Sequence, residues 1–130
     1  TGEGAGITGV IMNQQTVDIF NPKTIRATMG SIFRVPFVYV PELSPVLTQM
    51  HEKGIHTYAA HLKGQKYYDS FSFREPTAFL IGNEGNGLTK EISDQAGQYL
   101  KIPMEGKVES LNASIAAALL MYEAHRQRNL

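Results

Sequence analysis

The chain has 130 residues, of which 42% are hydrophobic and 18% charged, and its 12 basic and 12 acidic residues leave no net charge. This composition predicts one folded domain over residues 1–130 and excludes disordered and collagen-like chains, while the neutral total gives no general attraction to nucleic acid. Cysteine is absent, which excludes disulfides and cysteine-ligated metal. No apolar run approaches the roughly 18 residues of a membrane span and the start has no signal pattern, so we expect a cytoplasmic protein.

The first third of the chain predicts a strand, a helix and a second strand. Residues 7–12 form a short apolar run that is typical of a buried strand. Asn21 and Pro22 supply a helix N-cap and a first-turn proline, which predicts a helix that continues to about residue 33. Residues 35–40 are aromatic and β-branched and predict the second strand.

The middle of the chain continues this alternation. Ser44 and Pro45 open a helix that we expect to end where Gly54 follows a basic last turn. Residues 55–60 predict a strand. Residues 64–74 are polar and aromatic, and their pattern fits either a short strand or a surface loop.

The last third predicts two strands and two helices. Residues 77–81 carry no charge and end at a glycine, which is typical of a central parallel strand. A short helix over 88–96 and a strand over 99–103 follow, and a long helix extends from 109 to about 128. Its apolar residues fall on one stripe, namely Leu111, Ile115, Leu119 and Tyr122. The alternation predicts an α/β fold with a mostly parallel sheet flanked by helices.

Ligands of open α/β sheets bind beyond the carboxyl ends of the strands, so the loops there are the candidate sites. The loop over residues 82–87 contains three glycines, which allow close approach of a ligand, and Glu84, which offers a hydrogen-bond acceptor. An ordinary strand-to-helix turn explains this loop equally well. It lacks the Gly-Lys-Ser/Thr of a Walker phosphate loop, and its glycines do not have the G-x-G-x-x-G spacing of dinucleotide-binding loops.

The second candidate loop covers residues 103–109 and leads into the last helix. Ser110, Asn112 and Ser114 crowd the start of that helix, where either Ser110 or Asn112 could act as the N-cap. One cap is enough for one helix. The remaining polar groups therefore indicate a surface that faces a ligand.

Two segments resemble the second and third motifs of the SpoU (TrmH-like) RNA ribose methyltransferases. They read Leu80-Ile81-Gly82-Asn83-Glu84-Gly85-x-Gly87-Leu88 and Ile102-Pro103-Met104-x-Gly106-x-x-x-Ser110-Leu111-Asn112-x-Ser114-x-Ala116-Ala117. Residues 21–33 also resemble the helix that precedes these motifs in the family. The resemblance covers nearly the whole chain, from Ile7 into the last helix.

The resemblance implies a fold and a cofactor. The carboxyl-terminal part of the sheet should be tied in a deep trefoil knot, which is rare among chain topologies. S-adenosylmethionine should lie bent in that knot and be held largely by backbone groups. The positions implied as cofactor-binding are Ala60, Gly82, Ile102, Met104 and Leu111.

The resemblance also implies a reaction and partners. Members of the family transfer the sulfonium methyl group to a ribose 2′-hydroxyl of ribosomal or transfer RNA and act as homodimers. Glu84, Ser110 and Asn112 would organise the catalytic site, with Glu84 positioning groups rather than removing a proton. Neither a metal nor a membrane is implied.

One family feature has no counterpart in this sequence. The first motif normally carries an arginine that activates the 2′-hydroxyl, upstream of the strand that here begins at Ile7. We expect that the chain lacks an N-terminal portion, because it begins with Thr1. The alternative is an RNA- or cofactor-binding module without catalysis, and a third hypothesis is an unrelated small α/β nucleotide-binding domain.

The remaining candidates are histidines and aromatic residues. None of the four histidines has zinc-ligand spacing, so we expect surface positions, with His61 as the exception because it follows a strand end. Four aromatic residues could stack on bases, but we expect them to pack in the core: Tyr67, Tyr68, Phe71 and Phe73. Lys23, Arg26 and Arg34 form a small basic group, which could contact RNA phosphates or could equally be an ordinary solvated face.

Overall fold

The computed structural model describes residues 1–14, 16–83 and 87–130. The chain divides into two compact units, Thr1–Leu43 and Ser44–Leu130. No helix within the described residues is long and apolar enough to cross a membrane.

The first unit contains a small parallel sheet. Its elements in chain order are α1 (Gly2–Ala5), β1 (Val10–Met12), α2 (Pro22–Ala27) and β2 (Phe37–Tyr39). The two strands pair in parallel from Val10 opposite Phe37 to Met12 opposite Tyr39. Both predicted strands are therefore present, although each is shorter than its apolar run.

The predicted helix over residues 22–33 is shorter than expected. It begins as predicted, since the Asn21 side chain accepts a hydrogen bond from Lys23 N at 2.9 Å. It ends at Ala27 because Met29 and Gly30 have φ angles of 51° and 91°, and left-handed residues cannot continue an α-helix. A 3₁₀ turn follows at Ser31–Phe33.

Glu3 holds this 3₁₀ turn. Its carboxylate accepts hydrogen bonds from Arg34 Nη2 at 2.8 Å and from Ser31 Oγ at 2.7 Å. The Arg34 guanidinium and the Ser31 hydroxyl lower the pKa of Glu3 to about 2. Arg34 is thus engaged by a carboxylate, which removes it from the predicted basic group.

The second unit contains the main sheet. Its elements are α3 (Ser44–Glu52), β3 (His56–Ala60), β4 (Thr77–Leu80), α4 (Lys90–Gln95), β5 (Gln98–Leu100) and α5 (Ala113–Arg128). The strands are parallel and their order is β4-β3-β5. The predicted α/β class with parallel sheets is confirmed, but β4 is an edge strand of this sheet rather than a central one.

The buried face of α5 differs from the predicted apolar stripe. Its buried residues are Leu120, Ala124 and Gln127, whereas Ile115 is 52% exposed and Tyr122 is 46% exposed. The hydrophobic core of this unit combines two apolar residues of α5 with side chains from the sheet and from residues 64–74. Its buried members are Tyr58, Phe73, Leu100, Leu120 and Ala124.

Gln127 joins α5 to the segment that precedes β4. Its Oε1 accepts a hydrogen bond from Phe73 N at 2.7 Å, and its Nε2 donates to Phe71 O at 2.9 Å. Arg128 adds a hydrogen bond from Nε to Phe73 O at 2.8 Å. These bonds satisfy backbone groups that have no strand partner, because Phe73 precedes the first residue of β4.

Replacing Gln127 by alanine should lower the free energy of unfolding by about 2 kcal/mol, because Phe73 N would remain buried without its acceptor. Urea unfolding measures the change. Gln49→Ala, on the exposed side of α3, is the control and should shift the free energy by less than about 0.5 kcal/mol. Equal effects of the two substitutions would contradict the role of Gln127.

Candidate functional site

The carboxyl ends of the three strands lie at one edge of the main sheet. Ala59 is paired with Leu80 of β4, and Ala60 is paired with Leu100 of β5. Gly82 and Ile102 each follow the last residue of their strand by two positions. The structure therefore brings three predicted cofactor residues, Ala60, Gly82 and Ile102, to the same edge.

Gly82 lies at a very close approach of two backbone segments. A Cβ atom at this position would lie 2.5 Å from the carbonyl carbon of Gly87 and 2.7 Å from its Cα, a separation that real Cβ atoms do not show. Gly87 N donates to Asn83 O at 2.6 Å and closes the loop at its base. The ends of the glycine-rich loop are thus fixed. Glu84, a predicted catalytic residue, lies outside the described residues.

The loop after β3 is attached to the end of β5. His61 N donates to Leu100 O at 2.9 Å, and a Cβ on Gly64 would lie 2.9 Å from the Leu100 carbonyl carbon. Lys101 N donates to Lys66 O at 2.9 Å. Because the attachment uses backbone groups, its geometry does not depend on the neighbouring side chains.

The loop after β5 carries the other predicted residues. Ile102 packs against the core, and Met104 and Leu111 are half-buried. Ser110 is exposed and lies three residues before α5 begins, so its predicted place in the first turn of that helix is wrong. The helix begins late because Asn112, and not Ser110, provides the cap.

Asn112 is the N-cap of α5. Its Oδ1 accepts hydrogen bonds from Ser114 N at 2.9 Å, from Ile115 N at 3.3 Å and from Ser114 Oγ at 2.5 Å. The capping role that the sequence offered for this residue is therefore present.

His61 differs from an ordinary surface histidine. Its ring stacks on Tyr99 with centroids 4.6 Å apart and an interplanar angle of 14°. Its Nδ1 accepts a hydrogen bond from Lys63 N at 3.0 Å. Within residues 1–14, 16–83 and 87–130, no three His, Cys, Asp or Glu side chains are grouped as metal ligands.

Two surface grooves are lined by other residues. One of about 360 Å³ runs along α5 and is lined by Tyr68, Ile115, Ala118, Leu119, Tyr122 and Glu123. The other, of about 210 Å³, includes His56 and Thr57 at the amino end of β3. Neither contains a predicted cofactor residue. We place the candidate site at the carboxyl edge because the three loops meet there.

The sequence interpretation missed two residues beside the site. For Gly64 the only signal in the sequence is its place shortly after a strand end, where a glycine can mark a close backbone approach. Tyr67 was expected to pack in the core, but it is 50% exposed. That expectation is wrong because the alternation along this segment turns Tyr68 toward the core instead. Phe73 is fully buried, as predicted.

The chain is similar to known methyltransferases over almost its whole length. Residues 1–122 match the model of the SpoU rRNA Methylase family. A protein from Staphylococcus haemolyticus assigned to the TrmH family of tRNA/rRNA methyltransferases is 34% identical over 129 residues, which are 99% of this chain and 52% of that protein. The chain thus spans about half the length of the curated relatives it matches.

Solved structures of methyltransferases have the same fold. The SpoU methyltransferase AviRb from Streptomyces viridochromogenes, in complex with S-adenosylmethionine, is 33% identical with a TM-score of 0.90, over 98% of this chain and 53% of that one. A structure described as an RNA 2′-O ribose methyltransferase is 33% identical with a TM-score of 0.86, over 99% of this chain and 49% of that one.

Replacing Asn112 by alanine should lower the free energy of unfolding by about 1 kcal/mol, because the first turn of α5 loses its capping oxygen. Asn112→Asp should restore most of the loss, since a carboxylate is an equally good cap and is favoured by the helix dipole. Thermal unfolding of both variants measures the difference. An aspartate variant as unstable as the alanine variant would show that capping is not the main contribution.

Proposed function

The chain belongs to the SpoU rRNA Methylase family, and we propose that it forms the cofactor-binding half of an S-adenosylmethionine-dependent RNA methyltransferase that acts on a ribose 2′-hydroxyl. The observation that carries this proposal is the meeting of three loops at one sheet edge, where Ala60, Gly82 and Ile102 lie together. The S-adenosylmethionine bound by AviRb supports the identity of the cofactor.

Backbone groups suit the recognition of this cofactor. The edge of an adenine ring presents donors and acceptors that peptide groups can match, and Gly82 has no side chain to block the approach. Met104 and Leu111, both half-buried, would supply apolar contacts. The proposal includes the deep trefoil knot that the family resemblance implies, and the TM-score of 0.90 with a SpoU methyltransferase supports it.

The reaction needs alignment and the removal of one proton. The ribose oxygen forms a bond to the methyl carbon while the bond from that carbon to sulfur breaks, and the hydroxyl proton passes to a base. Holding the reactants in line can lower the barrier by roughly 7–11 kcal/mol. We assign the orientation of the ribose to Glu84, Ser110 and Asn112. None of them is assigned the removal of the proton.

The complete reaction is proposed for the whole protein. The arginine of the first family motif has no counterpart in this sequence, and the chain covers 52% of its relative from Staphylococcus haemolyticus. The alternative, a module that binds RNA or cofactor without catalysis, rests on this same missing arginine. Activity measured on the complete protein separates the two.

The proposed partners are ribosomal or transfer RNA and a second copy of the chain. The tRNA/rRNA assignment of the relative and the likeness to an RNA 2′-O ribose methyltransferase support the first. The exposed apolar stripe of α5 supports the second, since Ile115, Leu119 and Tyr122 are between 38% and 52% exposed. Large apolar side chains that share one exposed face are typical of an interface.

Calorimetric titration with S-adenosylmethionine tests the cofactor. The chain should bind it, and Gly82→Ala should weaken binding at least about tenfold, because a Cβ there displaces the glycine-rich loop. Gly9→Ala is the matched control, since a Cβ at Gly9 meets only Pro36 O at an ordinary 3.5 Å. Absence of binding to the unaltered chain at high micromolar cofactor would refute the proposal.

Asn112→Asp in the complete protein tests the catalytic assignment. The substitution keeps a capping oxygen but removes the amide donor, so stability and cofactor affinity should be preserved while the methyl-transfer rate falls about tenfold or more. The measurement is transfer of a labelled methyl group from S-adenosylmethionine to RNA, with mapping of the 2′-O-methyl position. A rate within twofold of the parent would remove Asn112 from the catalytic group.

A further inference from the structure

Four side chains share the face of the main sheet that is opposite to α5. Tyr99 neighbours Leu100, which is fully buried against the α5 side, so Tyr99 and Lys101 point away from that helix. His61 stacks on Tyr99 and therefore lies on the same face. Tyr67 is paired with Lys101 in a parallel bridge, and paired residues point to the same side. We call these four residues the aromatic face.

The aromatic face is partly open and carries positive charge at its rim. Tyr67 is 50% exposed, and His61 and Tyr99 are half-buried. Lys63 and Lys66 are exposed on the same loop. In the part of the chain that the structure describes, neither of them nor Lys101 forms an ion pair.

One carboxylate, Asp94, lies at this face, where it contacts Tyr99 and is paired with Lys90. Asp94 accepts the Tyr99 hydroxyl at 3.0 Å and is paired with Lys90 at 2.6 Å, and these bonds lower its pKa. Asp69 interacts electrostatically with Arg126 of α5 and helps to raise the pKa of that guanidinium. We therefore assign Asp69 to the α5 side of the sheet. The charge that the aromatic face presents is therefore mainly that of its lysines.

The geometry of the aromatic face is held by backbone bonds. Lys101 N donates to Lys66 O, and Tyr68 N donates to Lys101 O, each at 2.9 Å. Gly64 allows the loop to lie against the Leu100 carbonyl. A preformed surface loses little conformational entropy when a ligand binds, and this favours a specific ligand over incidental exposure.

We propose that the aromatic face binds single-stranded RNA, with bases stacked on Tyr67 and on the His61–Tyr99 pair and phosphates near Lys66 and Lys101. Exposed rings beside cations are the combination with which proteins hold unpaired nucleotides, whereas a duplex hides its base faces from such rings. The inference rests on the proposed function only in taking RNA as the substrate.

The position of the aromatic face is compatible with an RNA strand that passes the carboxyl edge of the sheet. Ala60 and Ile102, the candidate cofactor positions, each neighbour a member of the aromatic face, namely His61 and Lys101. Because successive side chains alternate between the two faces of a sheet, His61 and Lys101 lie on the face opposite to Ala60 and Ile102. RNA held on one face would therefore run past the loops that hold the cofactor.

Fluorescence anisotropy with a labelled unstructured oligoribonucleotide of about 12 nucleotides tests the inference on the 130-residue chain. Tyr67→Ala should weaken binding on the order of tenfold, and Tyr67→Phe should leave it nearly unchanged, because the ring and not the hydroxyl stacks. The double variant Lys66→Gln, Lys101→Gln should reduce the slope of log affinity against log salt by about 0.7 for each lysine. Lys53→Gln, after α3, removes one positive charge outside the aromatic face; it is the control and should change neither quantity.

Heparin and S-adenosylmethionine complete the experiment. Tyr67→Ala should leave heparin affinity unchanged, since a polyanion without bases has nothing to stack; an equal loss for heparin and RNA would overturn the inference. RNA binding that is insensitive to Tyr67 and to the two lysines would also overturn it.

If the chain binds the cofactor but no RNA, this inference fails while the proposed cofactor site stands; if it binds neither, both fail. Circular dichroism of each variant verifies the fold.

Discussion

The buried side chain of Gln127 carries much of the architecture of the second unit. Its amide bridges α5 and the backbone at Phe71 and Phe73, which lie 56 and 54 residues away in sequence. This bridge places Phe73 against Tyr58 of the central strand, with ring centroids 5.0 Å apart at 82°. Edge-to-face packing of this kind stabilises beyond the area it buries. The helix, the pre-strand segment and the sheet are thus linked through one polar group.

Close contacts between backbone segments hold the loops of the candidate site in place. Gly64 and Gly82 each lie where a Cβ would collide with backbone atoms, at the end of β5 and at the base of the glycine-rich loop. The parallel pairing of Ala60 with Leu100 brings Gly64 to the end of β5, and the pairing of Ala59 with Leu80 places the start of the loop that contains Gly82. Packing at one side of the sheet therefore determines where peptide groups are presented at its edge, and peptide groups are what the proposed cofactor requires.

Local chemistry made much of the fold predictable from the sequence. The cap at Asn21 and the helix stop at Gly54, where φ is 77°, follow from side-chain acceptors and from the freedom of glycine. The family motifs likewise predicted the residues that meet at the sheet edge. These signals lie within a few residues of one another, so no knowledge of tertiary contacts is needed to read them.

Tertiary contacts decided what the sequence could not reveal. Met29 adopts a left-handed conformation that its side chain does not favour, so Gly30 was the one local signal for the early end of α2. The periodicity of α5 defined an apolar stripe but not the face that packs on the sheet, and a glutamine, Gln127, proved to be part of the buried face. Tyr67 could not be told from Tyr68 by composition, because which one is buried depends on the register with Lys101.

The two faces of the main sheet differ in chemistry because the core needs only one of them. On the α5 side, Tyr58, Phe73 and Leu120 interlock and exclude water. On the other side, the aromatic residues end in polar contacts, as Tyr99 does with Asp94, and stay within reach of solvent. The stacked pair of His61 and Tyr99 lies outside the buried cluster. The proposed binding of RNA beside a proposed cofactor site at the shared carboxyl edge would account for the rings on this face.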